Sequence, residues 1–154
     1  MTADFGDTSA LAKLYLGERG SEWSVERAGS NAVAISELAH VEVASFLARR
    51  YAEGEFDVSV QHQVYGRYLE DTRRFEVVRL SASLTAAAAS LMLSGVLGFR
   101  VRSLDAIQLA SALWWFEQTR ALNIESGAFI VADGPLRDAA VVVGLVVDNP
   151  EEHE

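Results

Sequence analysis

The stretch AVAISELAHVEVASFLARRYA, residues 32–52, places a strand directly before a helix. The segment AVAIS is apolar and partly β-branched, which is typical of a buried strand. From about Ser36 to Ala52 the apolar residues recur at helical spacing, which predicts a long helix. Strands that alternate with helices in this way build parallel sheets, so the stretch predicts an α/β domain.

The same alternation continues on both sides of this stretch. Four further strands are predicted, at residues 2–6, 75–80 (FEVVRL), 127–133 (GAFIVAD) and 145–147 (LVV). Further helices are predicted at residues 7–17, 58–72, 81–99, from 102 onward, and at 136–144. The first is capped by Asp7 or Thr8 and closed by Gly17, and the helix at 81–99 ends near Gly95 or Gly98. Asp4 and Gly6 are expected to weaken the first strand, because both residue types are poor strand formers.

Length and composition predict one globular unit. The chain has 154 residues, of which 50% are apolar and 23% charged. We expect a single domain over residues 1–150 and a frayed acidic tail, EEHE, at residues 151–154. The absence of cysteine excludes disulfides and thiolate metal sites, and it is consistent with a reducing compartment, which favours a cytoplasmic location.

One uncharged segment requires a test as a membrane span. Residues 81–99 carry no charge, but they are rich in Ala, Ser and Gly, so a buried helix is the better interpretation. No signal peptide is recognisable, since Asp4 and Asp7 interrupt the N-terminal region. We therefore expect no membrane association.

Four carboxylates occupy positions that need an explanation. Asp7 and Asp133 follow the first and fourth predicted strands, where the ligand sites of α/β sheets form. Glu42 and Asp105 lie on the apolar faces of their helices, where an isolated charge is unfavourable. Ordinary explanations exist for each: a helix cap for Asp7, a turn for Asp133, the first turn of a helix for Asp105, and an ion pair with Arg49 for Glu42.

If the four acids lie close together in the fold, these separate explanations are not sufficient. Clustered carboxylates repel one another unless cations neutralise them, and a site made of oxygen ligands alone selects Mg²⁺ or Mn²⁺. The net charge of −9 argues against a general nucleic-acid-binding surface. It does not argue against a nuclease, because acids that hold a divalent cation contribute to the same negative total.

Four segments in order carry a family resemblance. The segments DTSALAKLYL (7–16), ISELAHVEVASFLARR (35–50), RSLDAIQLASAL (102–113) and FIVADGPLRDAA…GLVVDNP (129–150) resemble those of PIN-domain ribonucleases, specifically the VapC-type toxins of bacterial toxin–antitoxin pairs. The resemblance implies a PIN-like three-layer α/β domain with a mostly parallel five-stranded sheet in the order 3-2-1-4-5. It also implies metal-dependent hydrolysis of RNA phosphodiesters, with Mg²⁺ or Mn²⁺ as the cofactor.

The resemblance assigns roles to particular residues. It identifies Asp7, Glu42, Asp105 and Asp133 with the metal-binding acids of the family, and Ser9 with a small hydroxyl residue close to the first acid. It further implies a homodimer and a cognate antitoxin, a segment of which lies across the active-site groove and often directs an Arg at the acids.

Substrate contacts have to come from local positive charge. The basic residues nearest the acids in sequence are the candidates: Lys13, Arg49, Arg100 and Arg102. On the helix that begins near residue 102, Trp115 is predicted to be a core residue, and Trp114 is the candidate for a subunit or partner contact.

Other functions remain open on the sequence alone. One is a catalytically silent interaction module with the same fold. Another is a PIN nuclease with an RNA-processing or DNA-acting role instead of a toxin role. A metal-binding phospho-receiver is disfavoured, because such domains need a Lys late in the chain and the only Lys here is Lys13.

Overall fold

A parallel sheet of five strands runs through the computed structural model, which describes residues 2–153. The strands are β1 (Ala3–Gly6), β2 (Ala32–Ser36), β3 (Glu76–Val78), β4 (Ser126–Ile130) and β5 (Val147–Asp148). Their order across the sheet is β3-β2-β1-β4-β5, and every neighbouring pair is parallel. The predicted α/β class and the strand order implied by the resemblance are therefore confirmed.

Helices cover both faces of the sheet. They are α1 (Thr8–Leu11), α2 (Ser21–Ser30), α3 (Ala39–Ala52), α4 (Val58–Asp71), α5 (Ala82–Leu93), α6 (Ser103–Ala121) and α7 (Gly134–Val142), with short 3₁₀ helices at Ala12–Leu14 and Pro150–Glu152. Helices α5, α6 and α7 pack on one face of the sheet, and α1, α3 and α4 pack on the other, which gives the three layers. Alternation along β1 directs Phe5 into the first of these cores, against Phe129.

Helix α2 was not among the predicted helices. Its sequence, SEWSVERAGS, is largely polar, so it offers little of the apolar periodicity on which the prediction depended. The segment packs instead through Trp23 and through the polar side chains of Ser24 and Arg27.

Helix α5 is less buried than the sequence predicts. It packs on α6, but only Leu84 and Ala88 among its residues are buried, and Leu93 at its end is 89% exposed. The prediction of a buried helix was therefore wrong, because α5 packs mainly on α6 and its other side is exposed. In residues 2–153 no helix is both long enough and apolar enough to cross a bilayer.

Asp4 strengthens the first strand where it was expected to weaken it. Its side chain is buried beneath α2, where it accepts hydrogen bonds from Arg27 Nε (2.8 Å), Asn31 Nδ2 (2.7 Å) and the Ala128 amide (2.8 Å). Burial raises the pKa of Asp4, but these hydrogen bonds outweigh it and hold the pKa below 3.8. All four residues of β1 are buried.

The end of the chain is packed, in contrast to the frayed tail predicted for residues 151–154. Pro150–Glu152 form a 3₁₀ helix, and the ring of His153 stacks on Trp23 with 4.2 Å between the ring centroids. Glu154 lies outside the described residues. The interaction between this segment and α2 could not be inferred from the sequence, because the two are separated by more than 120 residues.

A substitution at Gly20 would test the packing of the C-terminal segment against the residues before α2. The φ of Gly20, +83°, is a left-handed conformation, and a Cβ atom added there would overlap the carbonyl group of Pro150. Gly54 has a similar φ of +76°, but nothing lies within 4 Å of the position of its Cβ. We expect Gly54→Ala to cost about 1 kcal/mol of unfolding free energy and Gly20→Ala about 2 kcal/mol more. Urea denaturation measures both, and equal losses would contradict the contact with Pro150.

Candidate active site

All four predicted acids line one cleft at the carboxyl edge of the sheet. The cleft has a volume of about 870 Å³, and its lining includes Asp7, Glu42, Asp105 and Asp133. Asp7 follows β1 and Asp133 lies just beyond β4, which is the neighbour of β1 in the sheet. Glu42 is in the first turn of α3, and Asp105 is in the first turn of α6. The fold thus brings together residues that are up to 126 positions apart in sequence.

Asp7 is the most buried of the four acids, with 5% of its surface exposed. Burial raises its pKa to about 6, and the negative charge of Glu42 adds to this rise. Hydrogen bonds from Ser9 act in the opposite direction: the Ser9 amide and Oγ donate to Asp7 Oδ2 at 3.0 and 2.6 Å. Ser9 Oγ also accepts from the amides of Ala132 (3.0 Å) and Asp133 (3.3 Å), so Ser9 ties the ends of β1 and β4 together.

Glu42 is held by two donors that the sequence did not identify. Its Oε1 accepts from Thr8 Oγ1 at 3.0 Å and from Gln108 Nε2 at 2.6 Å. The ion pair with Arg49 that the sequence suggested is absent from the salt bridges among residues 2–153. Arg49 is exposed on the same cleft, two helical turns along α3 from Glu42.

Asp105 and Asp133 both make the local hydrogen bonds of helix starts. Asp105 Oδ2 accepts from the Arg102 amide at 3.0 Å, and Asp133 Oδ1 caps α7 by accepting from the Leu136 amide at 2.9 Å. Asp7 caps α1 in the same way. Asp7 and Asp105 therefore have the ordinary roles suggested for them, whereas Asp133 is a helix cap and not only a turn residue. All three acids nevertheless line one cleft. Capping and a shared site are compatible in this fold.

Comparison with known proteins identifies the family. The PIN domain family model matches residues 5–120, which include Asp7, Glu42 and Asp105 and end before Asp133. The chain belongs to the PIN domain family. None of the curated protein sequences matches it significantly.

Three solved structures share this PIN fold. A VapBC2 complex from Rickettsia felis, bound to a DNA fragment from its promoter, matches at 14% identity with a TM-score of 0.62, over 96% of this chain and 98% of the other. A toxin–antitoxin complex from Klebsiella pneumoniae matches at 19% identity and 0.60, over 96% and 97%. VapC20 from Mycobacterium tuberculosis, a toxin that cleaves the sarcin–ricin loop, matches at 20% identity and 0.61, over 93% and 96%.

The donor chemistry of the PIN cleft suits a hard divalent cation. The four acids supply only carboxylate oxygens, and the hydrogen bonds described above fall on one oxygen of each carboxylate. Within residues 2–153, however, no three His, Asp or Glu side chains are close enough together to hold one ion. The acids thus share the cleft and have the right chemistry, but they are not gathered around a single point.

The four basic candidates differ in how free their charges are. Lys13 is almost fully buried, and its Nζ lies 3.1 Å from Glu18 and 2.7 Å from Glu151, so its charge is already balanced. Arg49 and Arg102 are exposed and line the cleft, whereas Arg100 is exposed but lies outside the lining. The cleft therefore offers two accessible guanidinium groups.

Two tryptophans and two polar residues complete the comparison with the sequence predictions. Trp115 is partly buried against the core and Trp114 is exposed, in agreement with their predicted sides of α6. Thr8 and Gln108 were not predicted as site residues. A signal for Gln108 existed, since it is an amide within the apolar stretch DAIQLASAL, three residues after Asp105.

Proposed function

We propose that this PIN domain is a Mg²⁺- or Mn²⁺-dependent endoribonuclease that acts as the toxin of a type II toxin–antitoxin pair in the cytoplasm. The observation that carries the proposal is the shared cleft, in which Asp7, Glu42, Asp105 and Asp133 occupy the ends of separate elements. The likeness of the fold to two toxin–antitoxin complexes and to an RNA-cleaving toxin supports the choice of substrate and biological role.

Each acid has a distinct task in this proposal. Asp7 and Asp133 are the principal ligands of the cation, and Glu42 and Asp105 complete its surroundings directly or through water. A bound divalent ion supplies Lewis-acid activation for hydrolysis of the phosphodiester. Ser9 keeps Asp7 and the amide of Asp133 at a fixed separation, because its hydroxyl is hydrogen-bonded to both.

Substrate binding has to overcome the negative charge of the cleft. Arg49 and Arg102 are suited to this task, because guanidinium groups form bidentate contacts with phosphate and both are exposed on the lining. Lys13 is less suited, since its ammonium group is already paired with Glu18 and Glu151.

We extend the proposal to a homodimer and an antitoxin partner. Apolar side chains are exposed around the end of α5 and the following loop, where Leu93 is 89% and Phe99 is 97% exposed, and Trp114 is exposed on α6. Exposed apolar surface of this kind is typical of protein–protein contacts. Two of the similar structures are toxin–antitoxin complexes, which supports an antitoxin as one of the partners.

The test is cleavage of RNA by the purified protein with Mg²⁺ or Mn²⁺, beside an EDTA control. Asp105→Asn is expected to lower the rate by at least about 100-fold, because the variant keeps the helix cap but loses the negative charge. Asp57→Asn is the matched control: Asp57 caps α4 by accepting from the Val60 amide at 2.9 Å, and it does not line the cleft. Equal rates for the two variants would contradict the proposal.

A catalytically silent PIN module is the second candidate. The observation in its favour is that no three acids in residues 2–153 surround a single point. A folded protein that cleaves none of several RNA types, and that binds no Mn²⁺ in a calorimetric titration, would favour this alternative over the nuclease.

A further inference from the structure

Gln108 is a polar residue in a place where the helix is otherwise apolar. It lies on α6 with 1% of its surface exposed, between the cleft residue Asp105 and the buried Ser111. The three side chains follow one another at intervals of three residues, so they form a polar stripe along the helix. Gln108 is not part of the cleft lining and lies behind Glu42.

The side-chain amide of Gln108 donates a hydrogen bond to a carboxylate of the cleft. Its Nε2 donates to Glu42 Oε1 at 2.6 Å and to Thr8 Oγ1 at 3.2 Å. Thr8 Oγ1 in turn donates to the same Glu42 oxygen at 3.0 Å. The three groups form a closed set of hydrogen bonds in which both donors converge on Oε1, and neither bonds to Oε2.

The side-chain carbonyl of Gln108 makes this arrangement energetically unfavourable in one respect. Gln108 Oε1 is buried without a hydrogen-bond partner among the described residues. A buried acceptor without a partner is unfavourable, and an apolar side chain of the same size would avoid the loss. Turning the amide over would not help, because the carbonyl oxygen would then face the carboxylate of Glu42. The compensating interaction is the hydrogen bond to a charged acceptor, which is stronger than a bond between neutral groups.

From this geometry we infer that Gln108 is a positioning residue for Glu42. Together with Thr8 it fixes Oε1 of Glu42, so that Oε2 stays available to a divalent cation. The inference rests on the proposed function, because it assigns Gln108 a task only if the cleft binds such an ion. Hydrogen bonds that orient a metal ligand raise metal affinity by about 10-fold to 100-fold.

A neighbour in the same stripe separates this task from a merely structural one. Ser111 is fully buried on α6, and its Oγ bonds to Ser36 Oγ (3.3 Å) and to the Ile107 carbonyl (2.8 Å). It therefore resembles Gln108 in burial and in its position on α6, but it contacts none of the four acids.

The experiment is a calorimetric titration of the full chain with MnCl₂. We expect Gln108→Met to raise the Kd for Mn²⁺ by about 10-fold or more, and Ser111→Ala to leave it unchanged. Thr8→Val removes the second donor to the same oxygen and should also raise the Kd. It serves as the test variant if Gln108→Met does not fold, as judged by thermal unfolding.

The outcomes distinguish the inference from the proposed function. A wild-type chain that binds no Mn²⁺ would overturn both. Wild-type binding with an unchanged Kd in folded Gln108→Met, or in Thr8→Val as its substitute, would overturn the role of Gln108 alone. The role of Gln108 would also be overturned if Gln108→Met raised the Kd for Mn²⁺ by the same factor in the Glu42→Ala chain as in the wild-type chain. Gln108 would then act without Glu42. A Kd that rises only while Glu42 is present supports the inference.

Discussion

Asp7→Asn is expected to abolish metal-dependent cleavage and, at the same time, to stabilise the metal-free protein at neutral pH. Loss of cleavage follows from the removal of a proposed principal ligand of the cation. The gain in stability follows from the pKa of Asp7, which burial raises from 3.8 to about 6 in the folded chain. Above pH 6 the folded protein has to hold a buried negative charge, and asparagine removes that charge while it keeps the helix cap.

The sign of the pH dependence follows from proton binding. Between pH 3.8 and about 6 the folded chain holds a proton on Asp7 that the unfolded chain has released. The free energy of unfolding therefore falls as the pH rises through this window, by about 3 kcal/mol for a shift of this size. Below pH 3.8 the carboxyl group is protonated in both states, so it contributes no penalty there.

Thermal unfolding in EDTA at pH 4 and pH 8 measures this effect. Asp7→Asn should melt well above the wild type at pH 8, and the difference should shrink at pH 4. Asp57→Asn, at the exposed cap of α4, is the control and should not melt above the wild type at pH 8. A variant that is less stable than the wild type at pH 8 would mean that the charge of Asp7 is better compensated than its burial indicates.

A gain in stability together with a loss of cleavage is the result expected if Asp7 belongs to a binding site for a cation. The charge on Asp7 is unfavourable in the folded chain until a cation neutralises it, so folding energy is given up for affinity. Asp133 illustrates the opposite case, because it is exposed and its hydrogen bond to α7 is an ordinary cap. The two proposed ligands at the ends of adjacent strands are thus stabilised by different means.

The sequence was informative where a single element carries the signal. Strand and helix periodicity located all five strands, and the acids at strand ends and on apolar helix faces lie in the shared cleft. The strand order came from the resemblance, because periodicity says nothing about which strands are neighbours. Helix α2 was not predicted, because it packs through Arg27 and Trp23 and has no stripe of apolar residues at helical spacing.

Contacts between distant residues were beyond the reach of local patterns. The hydrogen-bond partners of Glu42 are Thr8 and Gln108, 34 and 66 residues away, and not Arg49 on its own helix. The exposure of α5 could not be inferred either, because a run of Ala, Ser and Leu suits an inner helix and an outer one equally well. In each case the deciding interaction lies between elements.

Asp4 gives the clearest case of a residue that was misjudged, and it leads to the second large effect. We expect Arg27→Met to lower the free energy of unfolding by about 3 kcal/mol at pH 7, because the buried Asp4 carboxylate would lose its charged partner. The hydrogen bonds from Asn31 and the Ala128 amide would remain, but they do not neutralise the charge. Arg27 itself is about one-third exposed, which places the loss at the lower end for buried ion pairs.

The pH dependence of this loss separates the ion pair from simple packing. In the wild type the pKa of Asp4 is held below 3.8, so the stability it contributes is complete above that pH and is lost as the pH falls through the lowered pKa. Without Arg27, burial dominates and the carboxyl group takes up a proton at higher pH, so the deficit of the variant should shrink at pH 4. Urea denaturation at both values measures this, with Arg74→Met as the control, since Arg74 pairs with Asp71 on the exposed surface and should contribute less than about 1 kcal/mol. A deficit that is the same at pH 7 and pH 4 would assign the loss to packing of the Arg27 side chain against Trp23.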